Sequence, residues 1–475
     1  MAGNDIDILS IDRGLITAPA GCGKTHLIAD ALTHHNGLKP ILVLTHTNAG
    51  VAALRGRFNR AGVPSNIYRI YTIDGWCMRL ISTFPERSNN SLDILKLANP
   101  KFDYPNIRVV AAKLIISGHV KDILISSYAR LIVDEYQDCS IRQHNVITSV
   151  AQILPTCVLG DQMQAIFGFG EDRLADWDKE VCTFFPILGE LTTPWRWINS
   201  KSEPLGKWLI DVRKNLLNGE PIILKEAPSS VSWVELNGTD DYQKRLIAAQ
   251  VQPPDSDSRI LIIGDSTSPT SQHQFASQTP GAITIEAVDL KDLVSFARTF
   301  DLTGFNALER LLQFAHSVMI NVDAEALQQR IQSITCGTAH KPPTEVEKVA
   351  LAFIHAPSYR TTVALLSEIN RENGVRAHRP AVLWACIKAL LLCDGSDNLS
   401  FYDAAIMVRE QNRYYGRSLP KRGVGSTLLL KGLEAEVVVI LNADVLDARN
   451  LYVAMTRGSK ALTICSHSPV LNPNK

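Results

Sequence analysis

Leu15-Ile-Thr-Ala-Pro-Ala-Gly-Cys-Gly-Lys-Thr-His26 is the stretch on which the reading of this chain turns. A short apolar run ends at Thr17, a loop of small residues with Gly21 and Gly23 follows, and Lys24-Thr25 lead into Leu27-Ile28-Ala29. Strand, glycine loop and helix in that order make a phosphate cradle. Backbone N–H groups turn inward around a β-phosphate, the lysine reaches the β- and γ-phosphates, and the threonine hydroxyl holds Mg²⁺. Ala18, Pro19, Ala20, Gly21, Cys22, Gly23, Lys24 and Thr25 form a relaxed version, because Ala18 stands where glycine is usual. The bland alternative, a glycine turn with a chance Lys-Thr, leaves the flanking strand and helix patterns unexplained.

Outward from the loop the same texture repeats. Residues 41–45 (Ile-Leu-Val-Leu-Thr), 68–72, 131–133 and 156–160 are short apolar runs, and helical patterns at 47–58 and 76–81 separate the first of them. Continuous apolar runs of this length suit parallel strands buried on both faces. Two of them end in acids, at Asp134-Glu135 and at Asp161, which puts a site at the carboxyl edge of a parallel sheet. Residues 84–105, rich in Asn, Pro and Ser, are expected as a surface insertion. Beyond residue 186 come strands at 231–236 and 260–263, then a 3.6-residue apolar pattern over 289–392 broken at Lys341-Pro-Pro-Thr344. A strand at 436–441, a helix near 447–458 and a strand at 461–465 close the chain.

Composition bounds the answer without choosing it. At 475 residues the chain is too long for one core and predicts two to four domains. No apolar run reaches the ~18 residues of a membrane span. The acidic start, Met-Ala-Gly-Asn-Asp-Ile-Asp, is not a secretory signal, so a cytoplasmic location is expected. Nine cysteines occur without a Cys-x-x-Cys pair, and Cys386 and Cys393 lie in an apolar stretch. Buried reduced thiols are expected there, not a zinc or iron–sulfur site. With 48 basic and 48 acidic residues the chain is not coated in positive charge, although a local basic groove is enough to meet nucleic acid.

The acids match the loop. In Asp134-Glu135-Tyr136-Gln137-Asp138, Asp134 at the strand end suits the metal and Glu135 suits the base that activates water. Gln164, just past the next strand, is placed to sense a γ-phosphate. Phe167 and Phe169 alternate with glycines, which leaves their rings available to stack on bases. Arg196 in Pro194-Trp195-Arg196-Trp197 and Arg457 after an apolar segment are candidates to stabilise charge on a transferring phosphate.

Together these residues resemble the UvrD/PcrA/Rep-like superfamily 1 DNA helicases. Residues 18–25 look like motif I, Leu44-Thr-His-Thr-Asn-Ala49 like motif Ia, and Asp134-Glu-Tyr-Gln-Asp138 has the Asp-Glu-x-Gln-Asp form of that group. Gly160 to Phe169, Arg196, 426–441 and 452–457 follow in the order of motifs III to VI. The resemblance implies two RecA-like α/β lobes with ATP between them. It divides the chain into a first lobe at 1–188 with a short insert at about 84–125, a second lobe at 189–288 and 401–475, and a helical insert at 289–400. It implies Lys24, Glu135, Gln164, Arg196 and Arg457 as catalytic residues, Thr25 and Asp134 at Mg²⁺, and Gly432 and Glu434 at the nucleotide. His46, Asn48, Thr72, Phe167 and Phe169 would meet single-stranded DNA, along which the family moves 3′→5′.

The chain departs from that pattern at recognition positions. No glutamine precedes the loop to read adenine, His46 replaces an aromatic, Thr72-Ile-Asp-Gly75 replaces Thr-Phe-His-Ser, and Leu428 replaces a histidine. Its length resembles the helicase subunit of the Gabija anti-phage system, which works with an OLD-family nuclease. A repair helicase, or a regulatory ATPase that controls a nuclease with little unwinding, are the competing readings. A small-molecule kinase would leave the Asp-Glu box and Arg457 unexplained.

Overall fold

The computed structural model describes residues 6–90, 92–168, 172–395, 399–414 and 419–474. The fold is α/β, with a parallel sheet in each of two units, as expected of two RecA-like lobes. The strands are β1 (Arg13–Thr17), β2 (Ile41–Thr45), β3 (Tyr68–Thr72), β4 (Leu131–Val133), β5 (Thr156–Gly160), β6 (Ile187–Glu190), β7 (Ile222–Ile223) and β8 (Val231–Glu235). They continue as β9 (Ile260–Ile263), β10 (Ile283–Thr284), β11 (Met319–Ile320), β12 (Arg376–Ala377), β13 (Arg422–Gly425), β14 (Ala435–Ile440), β15 (Gly458–Ser466) and β16 (Val470–Leu471). The chain forms two compact units, residues 1–235 with 443–475, and residues 236–442.

In the first unit the sheet order is β3-β2-β4-β5-β1-β6, with parallel neighbours throughout. Successive side chains of a strand point to opposite faces. Leu15, Leu42, Leu44, Val133 and Val158 enter one apolar layer with Trp76, Ile107 and Leu114. Ile16, Ile41, Val43, Ile132 and Leu159 enter the other with Ile28, Leu54 and Phe58. Both faces are covered, which is why these strands read as unbroken apolar runs. β8 and β15 also pair in parallel in this unit.

The helices start where local chemistry sets them. Thr47 caps Asn48–Arg60 by accepting from the Gly50 amide, and Thr72 caps Ile73–Thr83 through Gly75, three residues ahead of the sequence expectation. Ser140 and Gln143 form a reciprocal capping box on Ile141–Ala151. No described residue of the expected surface insertion at 84–105 is buried. A helix, Pro100–Ile116, begins inside it and buries Ile107, Val110, Ala111, Leu114 and Ile115. Those positions recur at helical spacing just downstream of the polar stretch that suggested a surface insertion.

In the second unit β10, β13, β9 and β14 lie side by side in that order, all parallel. Among the described residues, seven helices between Lys291 and Tyr414 surround one apolar core, from Leu293 through Leu312, Phe353, Leu366 and Leu390 to Val408. Thr344 caps the helix after the Pro-Pro break. Cys386 and Cys393 are buried in that core as free thiols. Among the described residues no helix is long and apolar enough to cross a membrane.

Candidate nucleotide site and its nucleic-acid edge

β1 delivers the phosphate loop at the carboxyl edge of the first sheet. Gly21 (φ 72°) and Gly23 (φ 90°) adopt left-handed backbone, which a side chain would strain. A Cβ at Gly21 would meet the Trp197 ring at 2.5 Å, and one at Gly23 would meet Trp195 at 3.0 Å. Gly23 caps the helix Lys24–Thr33, whose free N–H groups and dipole face the loop. Cys22 is buried, and that burial, with Asp161 nearby, pushes its thiol up to about 12. It is therefore a protonated space-filler and no nucleophile.

β4 ends at Val133, and the Asp134 amide donates to Leu44 O at 2.8 Å, so the carboxylates leave the sheet beside β2. Glu135 takes left-handed backbone (φ 56°), an uncommon conformation for a residue with a side chain and one that clusters at functional sites. Lys24 Nζ lies 2.7 Å from Glu135 Oε1 and 3.3 Å from Asp134 Oδ1. Burial opposes the lysine's charge, yet the two carboxylates hold its ammonium above the ordinary range. For Asp134, burial wins over Lys24 and the carboxyl is raised.

A hydrogen-bonded chain runs on from Glu135. Gln137 Nε2 donates to Glu135 Oε2 at 2.5 Å, and Gln137 Oε1 accepts from the Asp161 amide at 3.1 Å. The fully buried Asp161 accepts from Gln164 Nε2 at 3.2 Å and from Arg213 Nε at 3.0 Å, while Arg213 also pairs with Glu190 at 2.9 Å. The amide expected to sense phosphate is thus oriented by an aspartate that a buried arginine neutralises.

The two expected arginines lie together in this unit. The Arg196 amide donates to Gly21 O at 3.0 Å, and its guanidinium donates to Thr456 O. Arg457 is buried, with Nε donating to Val453 O at 3.0 Å and Nη2 to Thr456 Oγ1 at 3.2 Å. Tyr452 Oη accepts from the Ala20 amide at 3.2 Å, so the helix Ala448–Met455, which ends just before Arg457, touches the phosphate loop directly.

Sequence reasoning missed Gln137, Trp195, Arg213 and Tyr452. Trp195 is 43% exposed although it leans on Gly23. The signal for it was present in the aromatic pair flanking Arg196. Nothing in the sequence pairs Tyr452 with Ala20.

The nucleic-acid candidates gather on the same sheet edge. His46 follows β2, Thr72 ends β3 beside Thr45, and Asn48 is exposed at the start of its helix. The Phe167 ring centroid is 5.8 Å from that of His46, at 37°. Phe169 lies outside the described residues. Asp74, an acid near this edge, is bound by both nitrogens of one side of Arg108, Nε and Nη2, at 2.7 Å each. Gly432 (φ 82°) and the exposed Glu434 lie in the second unit, before β14.

The donor set fits a magnesium nucleotide. Thr25 supplies a hydroxyl beside the loop lysine and Asp134 a carboxylate at the strand end, both hard oxygen donors. The Lys24 ammonium already sits against Asp134 and Glu135, so the pocket is one that attracts cations.

No curated protein matches the sequence. Solved structures similar to the chain include a complex of the arterivirus nonstructural protein 10 helicase with DNA, at TM-score 0.35 and 9% identity, covering 97% of this chain and 62% of that one. The crystal structure of arterivirus nonstructural protein 10 (helicase) is similar at TM-score 0.30 and 10% identity, covering 97% and 61%. The chain therefore spans less than two thirds of the length of these proteins. A family model described as an AAA domain matches residues 7–170, the part of the chain that holds the phosphate loop and the Asp-Glu box.

Proposed function

We propose that the protein is a superfamily 1 helicase of UvrD type that hydrolyses ATP to move 3′→5′ along single-stranded DNA. One observation carries the reading: Lys24, Asp134 and Glu135 are joined through Gln137 and Asp161 to Gln164, with Arg196 bonded to the loop itself. Lys24 would turn from the carboxylates to the β- and γ-phosphates, freeing Glu135 to take a proton from the attacking water. Thr25 and Asp134 would hold Mg²⁺, which would supply positive charge against that of the phosphates. Arg196 and Arg457 would meet charge developing on the transferring phosphate. Gln164, held by Asp161, would report the γ-phosphate to the adjoining edge of His46, Thr72 and Phe167.

The Asp74 carboxylate removes one objection to strand binding. Asp74 and Asp172 share Arg108, and Arg142 also pairs with Asp172, so the two carboxylates meet two guanidinium groups and present no unbalanced negative charge to a phosphate backbone. We further propose that a nuclease of OLD-family type is the partner, in anti-phage defence. ATP hydrolysis by the purified chain, with and without single-stranded DNA, tests the motor. Equal rates would sink it. Displacement from substrates with 3′ or 5′ single-stranded tails tests direction, and co-purification from native extract tests the partner.

A further inference from the structure

We propose that Arg108 is a positioning residue that passes strand binding at the Thr72 edge to the carboxylates of the hydrolysis site. The proposal rests on the motor reading above. Arg108 belongs to the helix Pro100–Ile116, which contains none of the expected site residues. Its guanidinium is largely buried and joins three segments. Nε and Nη2 donate to both oxygens of Asp74 at 2.7 Å each, and Nη1 donates to Asp172 Oδ2 at 2.5 Å. Ser140 Oγ lies 3.5 Å from Nη1.

Each segment leads somewhere functional. Asp74 stands two residues after Thr72, in the first turn of the helix that Thr72 caps. Asp172 opens a segment stitched to the chain just after the Asp-Glu box: the Ile141 amide donates to Arg173 O, and the Ala175 amide donates to Cys139 O at 3.0 Å. Gln143 closes the circuit. It completes the capping box with Ser140, and its Nε2 donates to Asp74 Oδ1 at 3.1 Å. The segment Cys139–Ser140 continues directly from Asp134-Glu135-Tyr136-Gln137-Asp138.

The chemistry suits a rigid coupling. Two-pronged arginine–carboxylate bonding fixes orientation as well as distance, so Asp74 cannot rotate without dragging Arg108. If the guanidinium moves, Asp172 keeps Arg142 at 3.0 Å but Asp74 is left with the neutral Gln143 amide, and a largely buried carboxylate that loses its cation is costly. The first turn of the Thr72 helix and the segment after the box therefore shift together. The route differs from the Gln164 link in its partners: that link leaves the box through the Gln137 side chain, whereas this one continues along the backbone at Cys139–Ser140.

The test is ATP hydrolysis by the full chain and by Arg108→Met, Arg108→Lys and Asp172→Asn, each titrated with single-stranded DNA. In Arg108→Met we expect the rate without DNA and the KM for ATP to stay as in the parent, and stimulation by DNA to fall about tenfold. Arg108→Lys should restore part of it, since charge returns without the fork. Asp172→Asn, which keeps the Asp74 pair, should show the same selective loss and decides the matter if Arg108→Met does not fold. Parent-like stimulation in folded Arg108→Met, or in Asp172→Asn, would overturn the proposal while leaving the motor intact. Equal loss of basal and stimulated rates would also overturn it, as a merely structural effect. A parent with no stimulation at all would instead overturn the motor reading, and this inference with it.

Discussion

Lys24 Nζ sits 2.7 Å from Glu135 Oε1, so the loop lysine and the residue expected to act as base neutralise each other. A phosphate that takes the lysine must break that pair. Glu135→Gln removes one competitor for Lys24 and also the base. We expect hydrolysis to fall by about a hundredfold or more while nucleotide binding holds or tightens. Lys24→Ala should instead abolish binding. Equilibrium binding of a fluorescent ATP analogue, beside phosphate release, checks both. Weaker binding in Glu135→Gln would show that the ion pair does not compete.

Trp195 offers a platform beside the phosphate loop. Its indole touches Gly23 and is 43% exposed. Stacking is worth about 1–3 kcal/mol and is tolerant of base identity. With no glutamine upstream of the loop, Trp195→Ala should raise KM for ATP and GTP alike, by roughly tenfold. Steady-state kinetics with both nucleotides decide it. A change confined to ATP would mean that another group reads the base.

Arg213 holds a wholly buried aspartate. Its side chain is 6% exposed and that of Asp161 is 0% exposed. Burial opposes the guanidinium charge, and Asp161 and Glu190 more than restore it. Arg213→Met strands the Asp161 carboxylate, and we expect a loss of about 3–5 kcal/mol in the first unit. Adding Asp161→Asn should recover part of that loss. Urea unfolding of both variants measures it, and a parent-like midpoint for Arg213→Met would refute the assignment.

His378 gives the second unit a pH dependence. It is 5% exposed, and its Nδ1 has no hydrogen-bond partner among the described residues. Burial, with Arg379 beside it, pushes the imidazole from 6.5 down to about 4. The folded state keeps the ring neutral where the unfolded chain would already bind a proton. Stability is thus complete above about 6.5, falls as pH drops toward about 4, and levels off below. His273 is depressed as well, first by burial, and acts in the same direction. The full effect is up to about 3 kcal/mol. Unfolding midpoints at pH 7.5 and pH 5 should differ in the parent, and the difference should shrink in His378→Gln. An unaltered difference in that variant would discount the histidine.

The phosphate loop, the Asp-Glu box and the parallel sheet were legible in the sequence because their determinants are local. Glycine at 21 and 23 answers to backbone angles, an apolar run answers to a strand covered on both faces, and acids at 134–135 follow their strand directly. Partner choice is not local. Tyr452 reaches Ala20 across 432 residues, Arg213 reaches Asp161 across 52, and Arg108 reaches Asp74 across 34. The sequence shows Asp74 as a new acid near the strand path, and only the packing of the helix Pro100–Ile116 reveals that its charge is already balanced. Charge on an isolated residue can be read from its letter. Whether that charge meets solvent, phosphate or a buried arginine depends on which distant segments the core brings together, and that was decided by the tertiary structure.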